Sequence, residues 1–168
     1  MSKNVFRITC LAALLYVTTA IAAAPGYVLR FPDQQGWKLG HQQTQGESFL
    51  HEFVKSNESV QAWTEMVTIW HMKQVAKTNA DIVTKRTIDG LRKGCPSFNH
   101  SVIANDHSYV IFRWSHEGCC GWPAQEGVMQ ITSTGDGVFN FQYAFLKNNA
   151  SPNFEDWVKI ISDAKIVR

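Results

Sequence analysis

The residues best able to do chemistry are a group of cysteines and histidines in the second half of the chain. Cysteine can form a disulfide, ligate a metal or act as a nucleophile, and histidine can act as a base or a metal ligand. The group comprises Cys95, Cys119, Cys120, His100, His107 and His116. Their order along the chain allows three kinds of site: a structural disulfide, a Cys–His nucleophile, or a zinc centre.

A structural disulfide is the interpretation that we favour for these cysteines. Cys95 would bond to Cys119 or to Cys120, and the spacing does not decide between the two partners. The bond would close a loop of about 24 residues and stabilise the fold by roughly 3 kcal/mol in the chain-entropy model. Because three cysteines cannot all pair within one chain, one thiol stays free or bonds to another molecule.

The two alternatives use the same residues differently. A nucleophile would need the thiolate of Cys119 or Cys120 beside the imidazole of His116, with a third polar group to orient that base. A zinc site would draw on residues 116–120, because tetrahedral zinc accepts histidine nitrogen and cysteine sulfur. However, no flanking motif supports a protease or a transferase, and adjacent cysteines ligate one ion poorly. We therefore expect no catalytic residue, no metal and no cofactor.

Trp122 is the best candidate for a binding contact. It lies between Gly121 and Pro123 in a predicted loop, where an exposed aromatic side chain would suit a contact surface. Tryptophan is usually well buried, and core or edge packing is the stronger expectation for this residue as well. If the loop does bind a partner, the surface is residues 116–125, with Trp122 and His116 as its contacts.

The beginning of the chain has the pattern of a cleavable secretory signal peptide, residues 1–22. Lys3 and Arg7 precede an apolar stretch that ends in small residues, 20–24. We expect cleavage after Ala22 or Ala23, because Pro25 would resist the peptidase. An uncleaved anchor is less favoured, because the apolar run is at the lower limit of the roughly 17–25 residues that cross a bilayer. The pattern predicts a periplasmic or extracellular protein with no stable membrane span after processing.

Charge excludes one class of partner for the mature domain, residues 23–168. The chain has 16 Lys and Arg against 14 Asp and Glu, and two of the basic residues lie in the leader. The mature domain is therefore balanced, and it has no dense basic block to displace counterions from phosphates. We expect no nucleic-acid binding. No nucleotide-binding, lipase-type or zinc-protease motif is present either.

Periodicity and turn residues predict one α+β domain with a mainly antiparallel sheet flanked by helices. A helix is expected at residues 79–93, ended by Gly94 in a left-handed conformation and by Pro96. A second helix is expected after an N-cap at Ser151 and a Pro152 at its first position. Trp37 is assigned to a loop. Strands are expected at residues 27–31, 48–54, 61–70, 101–104, 109–115, 128–133 and 138–146, with a closing strand at 166–167.

This order of elements resembles the Mog/PsbP-like α/β/α fold. The residues that carry the resemblance are the strand at 63–68, the helix end at 93–96, and the closing helix at 157–158. The chain also resembles small exported Gram-negative proteins of uncharacterised function. The resemblance implies a binding or assembly module, and it carries over no active site. The adjacent pair Cys119 and Cys120 does not map onto the pattern.

The function expected from these observations is that of an exported, non-enzymatic binding or effector protein. Its partner would be a protein or a cell-surface ligand, with the target and the oligomeric state left open. A small hydrolase that uses a free cysteine with His116 is the first alternative, and a zinc-binding secreted domain is the second.

Overall fold

The computed structural model describes residues 26–75, 77–149 and 153–167, so the predicted signal peptide lies outside the described residues. A single 3₁₀ turn, Lys73–Val75, separates β4 from α1. The elements are β1 (Gly26–Val28), β2 (Trp37–Gln45), β3 (Ser48–Lys55), β4 (Glu65–Met72), α1 (Ala80–Gly94), β5 (Asn99–Asn105), β6 (Tyr109–His116), β7 (Gln125–Thr134), β8 (Gly137–Leu146), α2 (Phe154–Ser162) and β9 (Lys165–Val167).

The main sheet contains seven strands in the order β2-β3-β4-β8-β7-β6-β5, and every neighbouring pair is antiparallel. Strands joined by short turns pair side by side, as hairpins require. Helix α1 carries the chain from β4, near the middle of the sheet, to β5 at one edge. The chain then returns through β6 and β7, so β8 pairs with β4 and closes the gap. Strands β1 and β9 form a separate antiparallel pair.

The two helices pack on opposite faces of this sheet. Helix α1 contacts β6 and β7, whereas α2 contacts β7 and β8 from the other side. Strand β8 shows why both faces are covered. Its aromatic residues, Phe139, Phe141, Tyr143 and Phe145, are buried together with Trp157 of α2, whereas Val138 and Ala144 join the core under α1. The predicted class, an α+β fold with a mainly antiparallel sheet flanked by helices, is confirmed.

Helix α1 follows the prediction closely because its local signals agree with its packing. The side chain of Asn79 accepts a hydrogen bond from the backbone N–H of Asp81 at 2.7 Å, which caps the first turn. The buried stripe consists of Ala80, Val83, Thr84 and Ile88, at helical spacing. Among the described residues, no helix is both long enough and apolar enough to cross a membrane.

The assignment of Trp37 to a loop is wrong. Trp37 begins β2, which forms one edge of the sheet, and its side chain is buried. The other residues of β2 are exposed, so the strand lacks the alternation of apolar and polar residues that identifies a half-buried strand. Its partner, β3, and the Gly46 turn hold it in the sheet. Both edge strands also contain a bulge, which discourages pairing with another chain.

Two predicted helix boundaries are also corrected. Gly94 is the last residue of α1, and the helix ends at Cys95, whose N–H donates to the Leu91 carbonyl at 2.8 Å, with no left-handed glycine cap. Helix α2 starts at Phe154 with Asn153 at the N-cap position. Ser151 and Pro152 precede that cap and lie outside the described residues. Strand β4 starts at Glu65, so Trp63 lies just before it.

Candidate functional site

A cleft of about 690 Å³ opens on the α1 face of the sheet. It forms beside α1, which packs on β6 and β7, and residues of β8, β4, β3 and β2 line it together with Val60, Gln61 and Trp63 of the β3–β4 connection. One wall is the C-terminal half of α1, with Gly90, Leu91 and Gly94. Next to the end of α1 lies the connection between β6 and β7, residues 117–124, which holds the two adjacent cysteines and Trp122.

The floor of the cleft is a row of polar side chains that runs across four strands. His41 of β2 lies opposite Glu52 of β3, and Glu52 lies opposite Thr68 of β4. Thr68 in turn lies opposite Gln142 of β8. Directly opposed residues on one face have Cβ atoms about 4.5–5.5 Å apart, so neighbouring side chains in this row can act together on a ligand. We call His41, Glu52, Thr68 and Gln142 the polar row.

The sequence did not reveal the polar row. Except in β2, the alternation of apolar and polar residues identifies the strand to which each member belongs. The row itself exists only because the register between neighbouring strands places the four side chains side by side. β8 pairs with β4 although 66 to 80 positions separate their paired residues, and no local signal predicts that pairing. Apolar side chains flank the row on the same face, including Met66, Met129 and Ala144.

The mouth of the cleft is a tight turn, Cys119 to Trp122. The N–H of Trp122 donates to the Cys119 carbonyl at 2.8 Å, and the N–H of Cys119 donates to the Trp122 carbonyl at 3.1 Å. Cys120 and Gly121 occupy the central positions with φ of 52° and 85°. Trp122 is 56% exposed, so the expectation that this side chain packs in the core is wrong. It lines the cleft from the solvent side.

A disulfide ties this turn to the end of α1. The structure bonds Cys95 to Cys119, with their Cα atoms 5.3 Å apart, and leaves Cys120 as an exposed free thiol. The Cys120 sulfur donates a hydrogen bond to the carbonyl oxygen of Gly94 at 3.0 Å. The turn is therefore attached to the last residue of α1 and to the one after it, through two successive sulfur atoms.

His116 lies at the end of β6, close to the disulfide, and it is buried. Its Nδ1 accepts a hydrogen bond from the N–H of Gly118 at 3.0 Å, so the neutral ring carries its proton on Nε2. Burial lowers the pKa of His116, against the opposing effects of the Gln125 side chain and the Glu117 charge. The ring also stacks on Trp114, with centroids 5.9 Å apart. His116 thus shapes the loop as a neutral side chain.

The structure brings together some members of the cysteine and histidine group and separates others. Potential ligand atoms of Cys95, His116 and Cys119 lie within 4.8 Å of one another. Zinc binds the thiolate form of cysteine, and the disulfide uses both sulfurs, so this trio can ligate a metal only after reduction. His107 lies elsewhere and pairs with Asp81 at 2.8 Å. His100 stacks on Phe98, with centroids 6.2 Å apart.

The tryptophans divide between core and surface. Trp37, Trp114 and Trp157 are buried, whereas Trp70 is 42% exposed. Trp63 is half-buried and lines the cleft beside the polar row. The cleft therefore combines aromatic walls with a polar floor, the mixture typical of ligand-binding pockets.

No protein-family model matches the chain, and no curated protein matches it. Among solved structures, the chain is similar to the solution structure of cyanobacterial PsbP (CyanoP) from Synechocystis sp. PCC 6803. The identity is 9%, the match covers 90% of this chain and 98% of the other, and the TM-score is 0.45. A likeness at this level carries no argument about function.

Proposed function

We propose that this chain is an exported, non-enzymatic binding protein, secreted to the periplasm or beyond, that holds part of a protein or cell-surface ligand in the cleft beside α1. The observation that carries the proposal is an exposed tryptophan at the mouth of that cleft. Trp122 is 56% exposed, and tryptophan is among the residue types that most often dominate binding. A large exposed aromatic side chain beside a concave pocket is typical of a contact site.

The attachment of the turn supports this role. A loop that is already ordered loses less conformational freedom on association, and less of the binding free energy is spent in ordering it. The turn from Cys119 to Trp122 has two backbone hydrogen bonds and a disulfide to α1. Trp122 therefore projects from a backbone that is held in place before any ligand arrives.

The charges of the cleft indicate what kind of ligand group fits. Among the described residues that line it, Glu52 is the one carboxylate, and no lysine or arginine is present. An anionic group would lose hydration without gaining a cationic partner. The amide of Gln142 and the hydroxyl of Thr68 can donate to and accept from neutral polar groups. We expect the cleft to take an uncharged part of the ligand, with polar groups on one side and an apolar surface on the other.

The hydrogen bonds around the cysteines favour binding over catalysis. A Cys–His nucleophile needs the sulfur to give its proton to an imidazole base. The Cys120 sulfur instead donates to the carbonyl of Gly94, at 3.0 Å. The Nδ1 atom of His116 already accepts a hydrogen bond from the N–H of Gly118. The Cys120 proton is thus directed to a backbone carbonyl and not to an imidazole base.

Replacing Trp122 tests the proposal. The mature protein is mixed with washed cell envelopes of the organism that produces it, and bound protein is measured by sedimentation over a concentration series. Trp122→Ala should weaken binding by on the order of 2 kcal/mol, about thirtyfold in Kd, and leave the thermal unfolding temperature nearly unchanged. Trp70→Ala is the matched control, because Trp70 is also exposed, at 42%, but does not line the cleft. Equal binding by both variants would refute the proposal.

The hydrolase remains the second candidate because Cys120 and His116 line the same cleft. Its test is alkylation of the mature protein with iodoacetamide, followed by assays of both p-nitrophenyl acetate hydrolysis and envelope binding. A catalytic thiol predicts a hydrolysis rate that Cys120→Ser abolishes. A binding protein predicts no hydrolysis above that of the Cys120→Ser variant, and envelope binding that still depends on Trp122.

A further inference from the structure

Two adjacent cysteines approach the same helix end, which the binding role does not require. In an extended chain, successive side chains point in opposite directions, so a disulfide at Cys119 would turn Cys120 away from α1. Here Cys119 begins a tight turn, and Cys120 is the first of its two central residues. The left-handed backbone of Cys120, with φ of 52°, directs its sulfur to within 3.0 Å of the Gly94 carbonyl oxygen.

This arrangement places a free thiol next to a disulfide. Gly94 is the residue directly before Cys95, and a Cβ atom on Gly94 would be in ordinary van der Waals contact with the Cys120 sulfur, at 3.8 Å. Rotation of Cys120 about χ1 moves its sulfur between staggered positions without moving the turn. Cys120 is also exposed, so solvent can take up its proton.

The left-handed conformation of Cys120 also indicates that its sulfur has a role at the end of α1. A residue with a Cβ atom adopts positive φ at a cost in free energy, and such strain is found most often at functional sites. Glycine would occupy this turn position without strain, as Gly121 does with φ of 85°. A role for its sulfur at the end of α1 would explain why a cysteine, and not a glycine, occupies position 120.

We propose that Cys95, Cys119 and Cys120 form a thiol–disulfide exchange site, in which Cys95 changes its partner from Cys119 to Cys120. Cys120 loses its proton to solvent, and its thiolate forms a new bond to the Cys95 sulfur. The bond between Cys95 and Cys119 breaks, its electron pair stays on the Cys119 sulfur, and that sulfur takes up a proton. One disulfide and one thiol are present before and after, so the step needs no oxidant or reductant.

Attack on the other sulfur is disfavoured. Bonding Cys120 to Cys119 would join residues whose Cα atoms are about 3.8 Å apart, below the usual range of about 4.4–6.8 Å for disulfides. Exchange therefore has two accessible pairings, Cys95 with Cys119 and Cys95 with Cys120. Moving the attachment by one residue displaces the turn that carries Trp122, so the mouth of the cleft has two covalent forms.

The exchange can be observed in the unmodified protein. The mature protein is incubated without reductant between pH 5 and pH 8.5, quenched in acid, and labelled with N-ethylmaleimide at pH 6. Fragmentation mass spectrometry then locates the label on Cys119 or on Cys120. We expect the label on Cys120 at first and increasingly on Cys119 with time, at a rate that rises about tenfold per pH unit from pH 5 to pH 7, because the thiolate is the nucleophile.

Two controls make the result decisive. The rate should not depend on protein concentration, since a rate proportional to concentration would mean exchange between molecules and would overturn the proposal. Cys119→Ser, oxidised in air, should form the bond between Cys95 and Cys120 and keep the unfolding temperature of Cys120→Ser within a few degrees. A label confined to Cys120 at every pH, or two free thiols in Cys119→Ser, would also overturn it.

Discussion

The two faces of the main sheet are built from different kinds of residue. The face under α2 is filled by aromatic rings: Trp157 stacks on Tyr143 with centroids 4.3 Å apart, and Trp37 meets Trp157 at 5.2 Å. The face under α1 holds the disulfide, the polar row and a cleft. One face gains stability from close packing, whereas the other leaves part of the sheet free for a ligand.

The reason for the difference is how much of each face the helices cover. Aromatic pairs contribute free energy beyond the area that they bury, so a short helix such as α2 can hold a face with few large side chains. Phe31 also packs on Trp157, with centroids 6.0 Å apart, and extends that cover toward β2. Helix α1 is longer but packs on β6 and β7, and the cleft lies beside it, over the strands that carry the polar row. Stability and binding are thus assigned to opposite faces, and substitutions on the two faces should have different effects.

The largest effects should come from the aromatic side chains of the α2 face, such as Trp157, which is 1% exposed. Trp157→Ala leaves a cavity among Tyr143, Trp37 and Phe31, and large-to-small substitutions of this kind cost about 3–5 kcal/mol. The free energy of unfolding from urea titration measures the loss. Trp70→Ala, at an exposed position, should change it by no more than about 0.5 kcal/mol. Similar losses for both variants would contradict the division between the faces.

The disulfide should give the next largest effect. Cys95→Ala removes the bond to Cys119, which spans 24 positions in sequence. A loop of that size is stabilised by about 3 kcal/mol in the chain-entropy model, within a usual range of about 2–5 kcal/mol. Urea titration of the mature protein measures the change. Cys120→Ala is the matched control, and it should leave stability close to that of the wild type.

Two histidines should affect the pH dependence of stability with opposite signs. Burial lowers the pKa of His116 below its usual 6.5, and the hydrogen bond to Asp81 raises the pKa of His107 above it. For His116 the unfolded chain binds the proton first, so its contribution is present above pH 6.5 and is lost as pH falls toward the folded-state pKa. For His107 the contribution is present below 6.5 and is lost as pH rises through the raised pKa.

Urea titrations from pH 5 to pH 8 can separate the two histidines. His116→Asn should reduce the loss of stability on acidification, and some of that loss should remain because burial also lowers the pKa of His51. His107→Asn should make the loss on acidification steeper. If His116→Asn leaves the pH profile unchanged, the buried ring does not contribute to it.

The smallest effect on stability should come from the polar row. Gln142 is half-buried, and Gln142→Ala should change the free energy of unfolding by no more than about 0.5 kcal/mol. The preceding residue, Phe141, is fully buried on the other face, and Phe141→Ala should cost about 3–5 kcal/mol. Envelope binding should weaken with Gln142→Ala. Unchanged binding would remove Gln142 from the site.

Much of the fold could be predicted because its local signals agree with its packing. The alternation of Phe139, Phe141 and Tyr143 identified a strand with one apolar face, and the stripe of Val83 and Ile88 identified a helix. β2 could not be identified in this way. Its residues after Trp37 are exposed, so the sheet edge is formed by pairing with β3 and not by an apolar pattern of its own.

The candidate site could be predicted only where its residues are close in sequence. The loop of residues 116–125 was identified as the binding surface from Trp122 and the cysteines, a role that stays a prediction. The polar row was missed, because His41, Glu52, Thr68 and Gln142 come from four strands spread over a hundred residues. Side chains from distant segments meet through strand order and register, which depend on the burial of the whole sheet.

By itself, the sequence determined the class of the fold, the position of α1 along the chain, and the choice of Cys95 as one end of a disulfide. Those features depend on interactions between near neighbours along the chain, or on a residue type with few possible roles. Only the tertiary structure decided that Cys119 is the partner of Cys95, that Trp122 faces solvent, and that four polar side chains line one cleft. These features depend on contacts between segments that are distant in sequence. The positive φ of Cys120 and the register between β4 and β8 are stable only when those contacts are in place.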